Sequence, residues 1–288
     1  MKYVQGCPAI FFFVLLWIAS SSKAQSPSFI ATEGKGIPVV MLQGGSYTFN
    51  IFDPHAKELS ALYKVIRIER LNISCVKTNT AIPGSYSVRM ESERMAHLLD
   101  SLSIHEPVVL IGHSYGAVIA LDLALNHPDK IRSLVLVEPP AFWIAKQKGE
   151  HPAGMNETIA VTKDFTPNST ITEQQMEKFR CALANCAAEP IRNNPQWGTW
   201  VKNIPLLQGL SVIDQHVDSI QRLHVFRKPV MIVTGNKTAV FHKRINEIVL
   251  AELPNAAALT LEGGHGACIS TGYNEFMKAV KEFIAAKK

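Results

Sequence analysis

Gly112-His113-Ser114-Tyr115-Gly116 is the stretch of this chain whose residue types and spacing speak most directly of chemistry. It follows the apolar run Pro107 to Ile111 and leads into the helix-compatible run Ala117 to Asn126, so Ser114 stands on a strand-turn-helix junction. A serine on so sharp a turn needs an unusual backbone conformation, and glycines two residues to either side let neighbouring elements approach. Such a turn would hold the hydroxyl above a sheet edge at the start of a helix, where amide donors favour a developing negative charge. A serine hydroxyl attacks a carbonyl only once a base takes its proton, so Ser114 calls for a histidine, and for a partner to that histidine, further along the chain.

His265 answers the first requirement. It lies in Gly263-Gly264-His265-Gly266, a loop between the apolar run Ala257 to Leu261 and the C-terminal amphipathic segment. The other histidines fit the role less well: His113 should point into the fold, and His224 and His242 precede the last run. The segment Leu42-Gln43-Gly44-Gly45-Ser46 should supply the oxyanion hole, with the Gly45 amide acting beside the amide of Tyr115 and Ser46 as its neighbour. Serine, histidine and two amide donors suit acyl transfer through a tetrahedral intermediate, so ester, thioester, lactone and amide hydrolysis all qualify. Among ten histidines no His-x-x-x-His spacing occurs, nor any Cys-x-x-Cys pair, and neither a metal nor a cofactor is expected.

The elements that must position these residues are legible as alternating runs. Pro38 to Leu42, Tyr63 to Glu69, Pro107 to Ile111, Arg132 to Val137, Pro229 to Thr234 and Ala257 to Leu261 are apolar throughout, the pattern of parallel strands covered on both faces. Met95, Leu98, Leu99 and Leu102 repeat at helical spacing, as do Phe276, Ala279, Val280, Phe283 and Ile284, and both stripes should pack on a sheet. The alternation predicts an α/β fold with a doubly wound, mostly parallel sheet and right-handed crossovers. It breaks between residues 141 and 225, which hold no convincing strand, several prolines and a helix expected over Glu173 to Ala188, capped by Asn168, Ser169 or Thr170. That stretch reads as an inserted helical lid over the C-terminal sheet edge, dividing the core into 25–140 and 226–288. Its aromatic residues Phe142, Trp143, Phe165, Phe179, Trp197 and Trp200 include candidates for an apolar pocket, with Phe142 and Trp143 nearest the core.

The first 24 residues have Lys2, the 12-residue apolar run Ala9 to Ser20, and small residues at Ser22 and Ala24. This reads as a signal peptide cleaved after Ala24, too short for a membrane span, and implies a secreted or periplasmic protein. Cys75, Cys181, Cys186 and Cys268 then reach an oxidising compartment, which permits disulfides without fixing their connectivity; Cys181 and Cys186 are close enough in sequence to close a small loop. Of 288 residues 47% are hydrophobic and 18% charged, with a net charge of +5 and no run of five like charges, which argues against a nucleic-acid partner. A small-molecule substrate is the expected partner, and the oligomeric state is open.

Taken together, the serine turn, the glycine-rich histidine loop and the strand order resemble the α/β-hydrolase superfamily over nearly the whole chain after Ala24 except the lid. That resemblance bears on the missing acid. The superfamily commonly places it after the seventh strand, three residues beyond a glycine; here that loop reads Gly235-Asn236-Lys237-Thr238, and Thr238 stands where the Asp would be. The sixth strand ends Val137-Glu138-Pro139-Pro140, and Glu138 occupies the alternative acid position of a subset that includes esterases and lactonases. The resemblance therefore implies Ser114 as nucleophile, His265 as base and Glu138 as acid, hydrolysing a small carboxylic ester or lactone through an acyl-enzyme. A serine in place of an aspartate at the nucleophile position argues against dehalogenase and epoxide-hydrolase chemistry. An acyltransferase, a carbon-carbon bond hydrolase, a lyase or a catalytically silent binding protein on the same fold remain the alternatives.

Overall fold

The computed structural model describes residues 29–184 and 190–286; the expected signal segment 1–24, Cys186 and the end of the helix expected to reach Ala188 lie outside them. Seven strands form one sheet: β1 (Ile30–Glu33), β2 (Pro38–Leu42), β3 (Lys64–Ile68), β4 (Val108–His113), β5 (Ile131–Val137), β6 (Val230–Gly235) and β7 (Ala256–Leu261). Their order across the sheet is β1-β3-β2-β4-β5-β6-β7, with every pair parallel except β1 with β3. The superfamily's sixth and seventh strands are thus β5 and β6 here.

Alternate residues of each central strand feed two separate apolar layers. Val40, Leu42, Leu110, Leu134 and Ile232 point to one face, where the helices Val88–Ser101, Tyr115–Asn126 and Val240–Glu252 cover them. Val39, Met41, Val109, Ile111, Val135 and Val233 point to the other, under Asp53–Leu59 and Tyr273–Ala285. Burial on both faces is why these runs carry β-branched residues without a polar alternation. The C-terminal helix buries Phe276, Val280 and Ile284 from the expected stripe, with Met277 beside them.

Three elements differ from the sequence pattern. β1 has no apolar run to mark it, because its four residues are mostly half-exposed. β7 is apolar in sequence yet largely open, because it closes the edge of the sheet and its Ala256, Ala257 and Ala258 expose little area whichever way they face. The helix at Glu173 is capped at Thr172, whose hydroxyl accepts the Gln175 amide at 3.2 Å while the Gln175 side chain returns to the Thr172 amide at 2.9 Å, a capping box. Asn168, expected as a cap, instead adopts φ 62° and clasps both backbone groups of Ile82.

Between β5 and β6 the described residues of 141–225 contain helices and no strand, among them Phe142–Gln147, Met155–Thr162, Glu173–Ala184 and Trp197–Lys202. This segment is tied down on the core by side-chain bonds to backbone: Asn72 Nδ2 donates to the carbonyls of Leu206 and Gln208, and Asn203 Nδ2 to that of Ser46, just beyond β2. Cys181 is disulfide-bonded, whereas Cys75 and Cys268 are free and buried. Among the described residues no helix is long and apolar enough to cross a membrane.

Candidate active site

Ser114 sits at φ 53°, ψ −119° between β4 and the helix Tyr115–Asn126, a left-handed conformation that a non-glycine residue adopts only under the constraint of its surroundings. The constraint is visible. The Ser114 amide donates to the Val137 carbonyl at 2.8 Å, continuing the β4–β5 ladder into the turn. A methyl on Gly116 would lie 2.2 Å from the Leu42 carbonyl oxygen, and one on Gly112 would lie 2.5 Å from the Gly116 carbonyl oxygen, so both positions admit only hydrogen. The helix therefore starts hard against β2. Tyr115 opens it, and its amide is one of the first-turn donors that have no acceptor within the helix.

The loop after β2 is held from behind. Fully buried Arg70 donates to the carbonyls of Gly44 at 3.1 Å and Gly45 at 2.6 Å, and its guanidinium lies over the Tyr115 ring at 4.9 Å. The loop passes close to the serine turn: a methyl on Gly44 would stand 3.3 Å from Ser114 Cβ. Gln43 and the Phe49 amide both bond the buried Glu69 carboxylate, which pins the loop further.

Glu138 is the first residue after β5. Its φ is 47°, its side chain is 0% exposed, and its amide continues the ladder to Val233 of β6 at 3.1 Å. One carboxylate oxygen accepts the Gly235 amide at 2.7 Å; the other accepts Nδ1–H of His265 at 2.5 Å and the Thr238 hydroxyl at 3.0 Å. Burial alone would raise this carboxyl, but the bonds to His265 and Gly235 and the nearby imidazoles hold it below the ordinary carboxylate range, so it is ionised at neutral pH. The bond to Nδ1 fixes the His265 tautomer and leaves Nε2 as the proton acceptor. Thr238, which stands where the superfamily commonly has its acid, is thus a hydrogen-bond donor to the Glu138 carboxylate.

Glu138 and His265 are therefore joined directly, and Ser114 is next to them in the sheet register but forms no hydrogen bond to His265. Ser114 lines a cavity of about 30 Å³ with Gly45, Tyr115, Phe142 and His242; His265 lines a larger one of about 490 Å³ with His113, Tyr47 and Arg180. Leu183 belongs to both walls. Catalytic hydrogen bonds are often long or absent before substrate binds. Phe142 lines the smaller cavity with Ser114. Trp143 does not: it packs edge-on against His216 at 6.4 Å, away from both cavities.

Two residues at the site had no motif to announce them. His242, in the first turn of Val240–Glu252, is fully buried, stacks on the His265 ring at 4.2 Å with an interplanar angle of 19°, and has no hydrogen bond at either ring nitrogen. Desolvation holds its pKa well below that of an ordinary imidazole, so it presents a neutral face to His265. His113, whose Nε2 bonds the His265 carbonyl at 2.9 Å, is likewise held down by burial, to about 4. Arg180, the other unannounced residue, projects from Glu173–Ala184 into the larger cavity. A lone histidine in a helix carries no spacing signal; Arg180 does carry one, since it interrupts the buried stripe Met176, Phe179, Leu183 with a charge.

Glu138, His242 and His265 each bring one donor atom within 4.8 Å of the others, as do Asp122, His216 and Asp218. In the first group both Glu138 oxygens and His265 Nδ1 are already engaged in the bonds above. In the second, Asp122 is paired with Arg89 and Ser92, and Asp218 with Arg222.

A family model described as the alpha/beta hydrolase fold matches residues 37–270, and the chain belongs to that family. Among curated proteins it is similar to the pimeloyl-[acyl-carrier protein] methyl ester esterase of Pseudoalteromonas atlantica, 23% identical over 261 residues that cover 88% of this chain and 93% of that protein. Solved structures with the same fold include an esterase from Exiguobacterium antarcticum (TM-score 0.70, 19% identity, 89% of this chain and 94% of that one). The enol-lactonase of Burkholderia xenovorans is another (TM-score 0.61, 15% identity, 88% and 95%).

Proposed function

We propose that this protein is an exported serine hydrolase that cleaves a small carboxylic ester or lactone through an acyl-enzyme, with Ser114 as nucleophile, His265 as base and Glu138 as acid. The observation that carries the reading is the buried Glu138 carboxylate bonded at 2.5 Å to Nδ1 of His265, at the sheet edge where Ser114 stands on its strained turn. Similarity to an esterase in sequence supports the hydrolytic class. In this reading Nε2 of His265 takes the Ser114 proton as Oγ attacks the carbonyl carbon, and the amides of Gly45 and Tyr115 receive the negative charge that moves onto the carbonyl oxygen. His265 then returns the proton to the leaving alcohol, and water repeats the sequence to release the acid. The insertion 141–225 acts as a lid over this edge, and the cavity of about 30 Å³ beside Ser114 favours a small group on one side of the ester.

Labelling with a fluorophosphonate probe tests the assignment without knowledge of the substrate. The purified protein should react at one site, and Ser114→Ala should abolish both labelling and turnover of p-nitrophenyl acetate while the circular dichroism spectrum is unchanged. Labelling that survives Ser114→Ala refutes the nucleophile. Export is tested separately by N-terminal sequencing of the protein recovered outside the cytoplasm, which should begin at Gln25.

A further inference from the structure

Among the described residues, the larger cavity has a buried cation in its wall and no anion. Arg180 is 7% exposed and sits in the wall that His265 also lines, and none of the residues lining that wall is an aspartate or glutamate. Among the described residues no carboxylate lies within ion-pairing distance of it. Nη2 donates to the Ser46 hydroxyl at 2.5 Å, Tyr47 supplies a second polar neighbour, and the buried Nε has no acceptor. Three aromatic rings hold the guanidinium in place: Trp200 at 4.3 Å, Tyr47 at 5.6 Å and Phe179 at 5.8 Å.

A buried charge normally has a partner, because desolvating it unpaired is costly. The other buried arginines have carboxylates beside them: Arg67 is paired with Glu33 and Asp53, and fully buried Arg70, which donates to the Gly44 and Gly45 carbonyls, has the charges of Glu69 and Glu91 close enough to act on it. Arg180 breaks the rule at the site, where a planar fork of donors fits the two oxygens of a carboxylate. Lys237 adds a second positive group to the same wall, although it is exposed and already bonded to Glu262 at 2.5 Å.

We propose that Arg180 is the binding group for a carboxylate carried by the substrate, so that the preferred substrates are half-esters of short dicarboxylic acids, or lactones bearing a free carboxylate. The proposal rests on the hydrolase reading above and names its substrate class. Ser46, which Arg180 bonds, directly follows Gly45, so the carboxylate would lie a short carbon chain from the carbonyl under attack. The ester group would lie at Ser114 and the acid tail in the larger cavity, with Leu183 in the walls of both.

Two measurements test this. The first is the ratio of kcat/KM for the monomethyl ester of glutarate to that for the neutral dimethyl ester. Bonds to charged groups contribute enough to set that ratio at about ten or more in the native protein. Arg180→Met should bring it to about one or below, and Arg180→Lys should restore part of it. If Arg180 only braces the lid on Ser46, Arg180→Met lowers both rates together and leaves the ratio unchanged, which overturns the proposal. The second measurement is independent of turnover: calorimetric binding of the same two esters to Ser114→Ala protein. Tighter binding of the half-ester by about tenfold, weakened by salt and lost in Ser114→Ala/Arg180→Met, supports the site. Equal affinities overturn it. Failure of fluorophosphonate labelling at Ser114 with charge-selective binding intact would instead refute the hydrolase reading alone.

Discussion

Replacing Glu138 by glutamine keeps the shape of the side chain and removes its charge, and the bonds around it determine the cost to catalysis. One oxygen faces the Gly235 amide at 2.7 Å, and the other faces His265 Nδ1 at 2.5 Å and the Thr238 hydroxyl at 3.0 Å. A glutamine has one acceptor and one donor end. If its oxygen stays with His265, its amino group meets the Gly235 N–H donor to donor, inside a fully buried site. If it turns, the oxygen satisfies Gly235 and the amino group donates to Nδ1, which puts the imidazole proton on Nε2, the atom that must accept the serine proton. Either way the imidazolium formed during attack loses its charged partner. By analogy with the buried acid of other serine triads, kcat should fall by about 10³ to 10⁴, equivalent to about 4 to 5.5 kcal/mol. The assay is the initial rate on p-nitrophenyl acetate, with fluorophosphonate labelling slowed in parallel and thermal melting as the check on folding. A loss of less than about tenfold in a folded variant would refute Glu138 as the acid. Thr238→Ala removes one of three hydrogen bonds to the carboxylate and should lower kcat by no more than about tenfold, since the charge and the bond to His265 stay. Glu138→Gln with Thr238→Asp should regain part of the loss, because the new carboxylate starts within reach of the same histidine.

His265→Ala should match Ser114→Ala in the size of its loss, and the double variant should be no worse, since the groups act as one unit; additive losses would refute that coupling. Stability should fall on the acid side. Burial holds His55, His113 and His242 below the ordinary 6.5, His113 at about 4, so between those limits the unfolded chain binds more protons than the folded one and stability rises with pH. His113 alone contributes about 1.4 kcal/mol per pH unit across that window. Burial raises Glu69 and Glu91 and opposes this slope, so the check compares native with His113→Phe protein, whose relative melting temperature should shift in the variant's favour as pH falls from about 6.5 to 4.5; no shift would contradict it. Gly116→Ala places a methyl 2.2 Å from the Leu42 carbonyl oxygen and should destabilise the fold by about 1 to 3 kcal/mol, seen as a lower urea midpoint; an unchanged midpoint would show that the helix is not packed against β2 as described.

What was legible in the sequence was what depends on local pattern. Buried parallel strands must be apolar on both faces, so β2 to β6 announce themselves, and the serine turn shows because two glycines are forced by contacts of 2.2 and 2.5 Å. Glu138 stands out only through the resemblance to the superfamily, and the structure adds what Thr238 does: it donates to the Glu138 carboxylate. Features that depend on a neighbour distant in sequence were not legible. The stacking of His242 on His265 joins residues 23 positions apart with no motif between them, the role of Trp143 is decided by His216, and β1 exists only because β3 offers an edge. Arg180 interrupts the apolar stripe Met176, Phe179 and Leu183 with a charge, a pattern whose meaning depends on a cavity wall that only the fold assembles.

Glu138 is followed at once by Pro139 and Pro140, and then by the insertion. Its own anchors all lie on the other side: Val233 and Gly235 on β6, Thr238 beyond it, and His265 after β7. The two prolines have fixed φ and no amide proton, so the joint between acid and insertion is stiff and draws nothing from the carboxylate. In the proposed reading, chemistry and choice of substrate therefore occupy separable lengths of this chain. Changes confined to 141–225, Arg180 included, would then retune what is cleaved, while the Glu138 carboxylate stays locked to the sheet.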